Sequence, residues 1–364
     1  MTSALKIQEN ILLAPYTTLQ VGGPARYFMV AASESDLREA VDFAAGKRLP
    51  LFVLGGGSNL LVSDAGWPGV VVHISLRGIE FGYENDFMLF YAAAGESWDS
   101  FVAQTVEQRC AGLECLSGIP GTVGGTPVQN VGAYGQEVSR TIHRVRVLEL
   151  SSGRVMELSN SDCGFQYRRS IFNTSAAAKY VVVEVGFRLK KGGAPTLDYA
   201  DVKNFFASAT TRPSLSQVRD AVRQIRAGKA MLITPGDEDS RSAGSFFKNP
   251  LVTEADAQRI ELLAQQLVPG KTMPRYNGEG GLVKLSAAWL VEQSGFHKGY
   301  QHGSVAISRK HSLAIVNRGG ATARDIIAVK DEIQAKVFDK WGVRLSPEPV
   351  FVGFAGSLPP AAPY

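Results

Sequence analysis

The chain has 364 residues, of which 45% are apolar and 20% charged, with a formal net charge of +4. That length exceeds a single core and suits two or three domains, and the composition is that of a globular protein. The charge is too small, and too evenly spread, for a nucleic-acid binder, but it suits a small polyanionic ligand. Residues 1–20 lack a charged-then-apolar leader and no run of about 18 apolar residues occurs, so a cytoplasmic protein is expected. Cys110, Cys115 and Cys163 form no C-x-x-C pair and read as reduced, partly buried thiols. The five histidines show no ligand spacing, so no metal site is expected.

Ser33 to Gly46 reads as a helix: Ser33 caps it, Asp36 sits three residues on, Leu37, Ala40, Val41 and Ala44 share a face, and Gly46 stops it. Leu51 to Leu54 is a short strand that runs into Gly55-Gly56-Gly57-Ser58-Asn59, and Val70 to Ile74 is another. Trp98, Phe101, Val102 and Val106 make a helical stripe, followed by a glycine-rich loop from Gly118 to Gly125. Val145–Leu150 and Val155–Leu158 flank Ser-Ser-Gly as a hairpin, and Tyr180–Leu189 is a strong strand. Ser214 and Gln217 form a capping box before Val218, Ala221, Val222 and Ile225. Thr253 opens a helix with Ile260, Leu263 and Leu267 inward, and Leu285 to Ser294 is a short helix. Ser304–Ile307 and Leu313–Val316 read as paired strands. Thr322 to Trp341 is amphipathic, with Ile326, Val329, Ile333 and Val337 inward and Gly342 as its stop. This mix predicts an α+β protein of several small domains. The last residues, 356–364, read as a flexible tail.

Consecutive glycines permit positive φ, so successive backbone N–H groups can converge on an anion. Two such segments occur: Gly55 to Asn59, and Gly118-Ile-Pro-Gly-Thr-Val-Gly-Gly-Thr126. Ser58, Thr122 and Thr126 add hydroxyls. Either loop alone could be a tight turn; together they suit a pyrophosphate gripped from two sides. Neither G-x-G-x-x-G after the first strand nor Gly-Lys-Ser/Thr is present, so the Rossmann and P-loop fingerprints are missing.

Thr18-Leu-Gln-Val-Gly-Gly-Pro-Ala25, Leu54-Gly-Gly-Gly-Ser-Asn-Leu60, Gly118 through Tyr134, Tyr167-Arg-Arg-Ser-Ile-Phe172, Ala243-Gly-Ser-Phe-Phe-Lys-Asn-Pro250 and Leu345-Ser-Pro-Glu-Pro349 together resemble the UDP-N-acetylenolpyruvoylglucosamine reductase family. The likeness runs over roughly residues 15–353. It implies a vanillyl-alcohol-oxidase/PCMH-type FAD-binding fold in two subdomains, 1–76 with 342–355 and 77–212, followed by an α+β substrate domain, 213–341. It further implies an enzyme working as a monomer on small molecules, without membrane or nucleic acid: non-covalent FAD, reduced by NADPH, reduces the enolpyruvyl ether of a UDP-sugar in peptidoglycan synthesis.

By the same resemblance, FAD would be cradled by Leu54, Gly55, Gly56, Gly57, Ser58 and Asn59 and by Gly118, Ile119, Gly121, Gly124, Gly125, Thr126, Val128, Gln129, Asn130, Gly132 and Ala133. Arg168 would bind the substrate carboxylate, where negative charge accumulates. Glu348 would assist either protonated or by orienting Arg168. Ser245 would give the proton to C2, eased by Lys248 and Arg168. Lys229, Asn249, Lys284 and Gln301 would hold the UDP-sugar, with Tyr167 beside it. Tyr199, in Leu-Asp-Tyr-Ala-Asp, resembles the mobile-loop tyrosine of the type I enzymes. The chain departs from the family at Arg169, where Asp is frequent, at Ser346, where a glutamate is common, at Val350, and in a longer 230–242 segment. Two rivals remain: an oxidase of the same fold with covalent FAD, for which His73, Cys110 and Cys115 lack a tethering motif, and a non-catalytic flavin or nucleotide-sugar binder.

Overall fold

A computed structural model describes residues 5–354; the tail at 356–364 lies outside the described residues. The first unit is a four-stranded sheet. Strands β1 (Gln8–Leu12), β2 (Pro24–Ala31), β3 (Leu51–Leu54), β4 (Leu60–Val62) and β5 (Trp67–Ile74) occur in it or beside it, and the sheet order is β1-β2-β5-β3. β2, β5 and β3 run parallel, and Val70, Val71 and Val72 are all buried, the pattern of a strand covered on both faces. Helix α1 (Glu34–Gly46) covers one face with Leu37, Ala40 and Ala44, and Ser33 and Asp36 close the expected capping box.

The second unit is an antiparallel sheet in the order β12-β11-β13-β7-β6, built from β6 (Ile79–Glu84), β7 (Phe87–Ala93), β11 (Ile142–Glu149), β12 (Val155–Ser159) and β13 (Tyr180–Lys191). The short strands β8 (Cys110–Ala111), β9 (Gly132–Ala133) and β10 (Gln136–Glu137) lie between them in sequence. Helix α2 (Trp98–Glu107) packs Phe101 on Phe187 of β13 with ring centroids 4.9 Å apart. The three cysteines are free and fully buried, and burial pushes the Cys163 thiol up to about 12. Helices α3 (Ala200–Phe205) and α4 (Leu215–Gly228) follow. α4 packs on α2, α3 and the Glu114–Leu116 turn, so it sits on the second unit.

The third unit holds two small sheets, β14-β16-β15 and β17-β18-β19. Its strands are β14 (Leu251–Val252), β15 (Arg275–Asn277), β16 (Val283–Leu285), β17 (Gln301–His302), β18 (Val305–Ile307) and β19 (Ile315–Asn317). Around them lie α5 (Glu254–Leu267), α6 (Ala287–Gln293) and α7 (Ala323–Trp341). α7 buries Ile326, Val329, Ile333 and Val337 completely, each contributing about 1.5–3 kcal/mol of transfer free energy. Gly342, at φ 69°, ends it in the left-handed conformation.

Two expectations shift. Leu267 is 48% exposed, because α5 ends on it and Val268 turns onto the core in its place. Leu285 belongs to β16, and the short helix begins only at Ala287, capped by Ser286. The core of the third unit includes Leu19, Val21 and Leu61 of the first. β20 (Val350–Val352) returns to pair with β4, so the chain's last strand closes back on the glycine loop after β3.

Candidate active site

The loop leaving β3 meets the second glycine loop directly. A Cβ on Gly56 would lie 2.5 Å from Gly121 Cα, and one on Gly57, at φ 62°, would lie 1.8 Å from the Tyr16 carbonyl. Ser58 Oγ donates to Pro120 O at 3.0 Å, lacing the loops together. The second loop is itself pinned: the amides of Val123 and Gly124 donate to Glu96 O and Ala94 O, and Thr126 Oγ1 donates to Val123 O. Those groups are therefore committed to the protein. The amides of Gly56, Gly57 and Ser58 have no backbone partner among the described residues, and the buried Thr122 hydroxyl has none either. A glycine cradle with free donors fits the diphosphate of a dinucleotide.

Two adjoining cavities run past this junction. One of about 940 Å³ is lined by both loops, by Arg168, Ser245 and Glu348, and by Tyr167, Tyr199, Lys229, Asn249 and Lys284. The other, of about 590 Å³, is lined by Tyr16, Gly55 and His73 and shares Gly56, Ile233 and Ser240 with the first. The longer 230–242 segment thus walls both, and its buried Asp239 pairs with Arg318 at 2.5 Å. Of the expected cradle residues, Gly56, Ser58, Asn59, Ile119, Gly121, Gly125, Thr126, Val128, Gln129, Gly132 and Ala133 line the larger cavity. Leu54, Gly57, Gly118, Gly124 and Asn130 line neither cavity.

Arg168 sits at the tip of a tight turn closed by reciprocal backbone hydrogen bonds between Gln166 and Arg169. Its φ is 56°, an uncommon value for arginine, and Asn173 Nδ2 steadies it by donating to its carbonyl at 3.1 Å. Asn130 Nδ2 donates to Gln166 O, and Ser170 Oγ donates to Val128 O, docking the turn on the second glycine loop. Arg168 Nη2 donates to Gly132 O at 2.9 Å, and Nε lies 3.0 Å from Glu348 Oε1. That last contact pairs charges without hydrogen-bond alignment, since Nε–H has no partner along its bond. The side chains are 20% and 16% exposed.

Ser245 and Glu348 line the same cavity, and the segments that follow and contain them are paired through the backbone. Glu348 N donates to Phe246 O at 2.9 Å and Lys248 N to Ser346 O at 3.0 Å. Asn59 Nδ2 donates to Gln129 Oε1 at 2.8 Å and approaches Glu348 O, tying this strand pair to both glycine loops. Arg169, the departure in the arginine motif, is exposed.

On the far side, Lys229 Nζ pairs with Asp201 Oδ2 at 2.5 Å. Burial works against the charge of Lys229, but its hydrogen bond to Asp201 and its nearness to Tyr134 hold its pKa above the ordinary value. Tyr134 meets Tyr199 edge-on at 5.3 Å, and Lys284 lies 5.3 Å from the Tyr167 ring centre. Burial raises the phenol pKa of Tyr134, Tyr167 and Tyr199. Asn249 Oδ1 accepts from Ala287 N at the start of α6. Gln301 is exposed on β17 and lines neither cavity.

His311 lines the larger cavity instead; in the sequence it is one of five histidines without ligand spacing, and nothing local marks it as facing a cleft. Burial, with Lys229 and Lys298 nearby, pushes its pKa down to about 4. Leu313 N donates to its Nδ1 at 3.1 Å, so the neutral ring carries its proton on Nε2.

Residues 25–159 match the FAD binding domain family, and residues 235–352 match the C-terminal domain of UDP-N-acetylenolpyruvoylglucosamine reductase. The reductase of that name from Thermobifida fusca is 44% identical over 95% of this chain and 98% of its own length. That from Streptomyces coelicolor is 44% identical over 94% and 89%. The crystal structure of the reductase from Thermus caldophilus superposes with a TM-score of 0.64 at 26% identity, covering 96% of this chain and 99% of that one.

Proposed function

Since the chain belongs to the UDP-N-acetylenolpyruvoylglucosamine reductase family and is an FAD-dependent oxidoreductase of peptidoglycan synthesis, we propose that its reaction is divided among Arg168, Glu348 and Ser245, with NADPH as the reductant. Bound between the two glycine loops, FAD would supply the hydride that reduces the enolpyruvyl group of UDP-N-acetylglucosamine enolpyruvate to UDP-N-acetylmuramate. The glycine cradle supports this use of the cleft, because its free amides and the unpaired Thr122 hydroxyl suit the cofactor's diphosphate.

Negative charge collects on the substrate carboxylate as hydride arrives, so the site needs fixed donors there. Arg168 provides them: Nη2 donates to Gly132 O and Nε lies against Glu348, while no hydrogen bond to the described residues takes up Nη1, which is the donor proposed for the carboxylate. Glu348 acts by orientation, as its ion pair with Arg168 indicates. Ser245 delivers the proton to C2, and the positive charges of Lys248 and Arg168 favour loss of that proton. Lys229 and Lys284 face the diphosphate of the UDP-sugar, Tyr167 and Asn249 flank it, and Tyr199 covers it. The same reading makes the protein a cytoplasmic monomer acting on small molecules. No described helix is long and apolar enough to cross a membrane.

The observation that carries this reading is the Arg168–Glu348 pair, in the cavity that Ser245 also lines and joined to both glycine loops through Asn59. Its test is Ser245→Ala. Flavin reduction by NADPH should stay within twofold of wild type, while reoxidation by the enolpyruvyl substrate slows by about 10²–10⁴-fold. Equal loss in both half-reactions would remove Ser245 from the proton transfer.

A further inference from the structure

Arg219, Arg223 and Arg226 recur at three- and four-residue spacing along α4, and Lys229 follows at its end. Among the described residues, only two carboxylates meet these four cations. Asp99 accepts from both Arg219 terminal nitrogens, at 2.7 and 3.1 Å, and pairs with Arg223; Asp201 pairs with Lys229. Asp99 also accepts the Gly118 amide at 2.6 Å, so the helix is bolted to the start of the second glycine loop.

Arg226 has no carboxylate within ion-pair distance among the described residues. It is 9% exposed and lines the larger cavity. Nη2 donates to Met231 O at 2.5 Å, the Tyr134 hydroxyl is within hydrogen-bonding reach, and Nε is buried with no partner. A guanidinium keeps its charge even when buried, so this is a desolvated cation with no carboxylate in contact and only the longer-range field of Asp99 to balance it, an arrangement that is costly unless an anion completes it.

The position of Arg226 narrows what that anion is. A Cβ on Gly118 would lie 3.4 Å from Arg226 Cδ and Nε, so the Arg226 side chain packs against the start of the glycine loop. Three residues on, Gly121 meets Gly56 of the first loop. Arg226 therefore belongs to the glycine wall of the cleft; Lys229, proposed for the substrate, shares Tyr134 with it but is turned to Asp201, and Lys284 lies beside the Tyr167 ring. We propose that Arg226 is the fixed counter-charge for the diphosphate of FAD. The inference rests on FAD occupying this cleft.

The test is a titration of the apoenzyme with FAD and with riboflavin, which lacks the phosphates, followed by flavin fluorescence quenching. Arg226→Gln should weaken FAD binding by about 100-fold and leave riboflavin binding within about twofold, since a charge-assisted contact to phosphate is lost and nothing else. Arg226→Lys keeps the charge without the planar fork and should fall between, about tenfold weaker for FAD; it carries the test if the glutamine variant does not fold. Unchanged FAD affinity overturns the proposal, as does equal weakening of FAD and riboflavin, which would mark a structural role. Weakened binding of UDP to the FAD-loaded variant, with FAD affinity intact, also overturns it, by assigning Arg226 to the substrate. Failure of the wild-type apoenzyme to take up FAD would instead strike the flavin reading beneath it.

Discussion

Glu348→Gln removes one charge and almost no volume, so it isolates the ion pair with Arg168. At roughly 4 Å between charge centres and an effective dielectric of about 20, the attraction is about 4 kcal/mol. Burial of both side chains offsets part of this, leaving a net coupling of about 1–3 kcal/mol. The contact is not hydrogen-bond aligned at Nε, so charge rather than directionality holds the guanidinium, and a neutral amide is a poor substitute. If that coupling serves to aim Nη1 at the carboxylate, its loss should slow flavin reoxidation by the enolpyruvyl substrate about 10- to 100-fold. Flavin reduction by NADPH should change little. The assay is anaerobic stopped-flow of the two half-reactions, run as a double-mutant cycle with Arg168→Lys. The two single variants should be strongly non-additive, the double variant being little worse than the poorer single one. Effects on reoxidation that add to within about 0.5 kcal/mol would refute the orienting role, since Arg168 would then be positioned without its partner.

Gly56→Ala puts a methyl 2.5 Å from Gly121 Cα and 3.0 Å from Gly121 C, both backbone atoms that cannot swing aside. The loops must part, at about 1–3 kcal/mol, and purified protein should carry markedly less FAD by its yellow absorbance; full occupancy with an unchanged melting temperature would sink the cradle argument. Gly46→Ala, where an added Cβ meets nothing within 4 Å, is the control. His311 is held near pKa 4 in the folded chain against 6.5 when free, so the folded state binds the proton less readily. The sign follows: stability is complete above the free value and falls as pH drops toward 4, by about 2 kcal/mol at pH 5. Urea titrations of wild type and His311→Gln should show that loss only in the wild type, and parallel pH profiles would show that His311 is not the group responsible.

Much of this protein was legible locally. The capping boxes at Ser33 and Ser214, the inward stripe from Ile326 to Val337 and the Gly342 stop depend on interactions within one or two turns, and such patterns survive into the fold because no distant residue needs to agree. The glycine loops were legible for a similar reason, since the freedom of a glycine is a property of the residue itself. What needed the tertiary structure is every relation between segments far apart in sequence. Only folding shows that 246–248 pair with 346–348 so that Ser245 and Glu348 line one cavity, or that Arg168 reaches Glu348 from a turn docked on Val128 and Asn130. Gln301 and His311 make the point from the other side: ten residues apart, one is exposed on β17 and the other lines the cleft. Arg226 is one of three arginines on α4, and only the fold shows that Asp99 contacts Arg219 and Arg223 while no carboxylate among the described residues comes within ion-pair distance of Arg226. Charge balance and burial are sums over neighbours in space, and those neighbours exist only once the chain has closed.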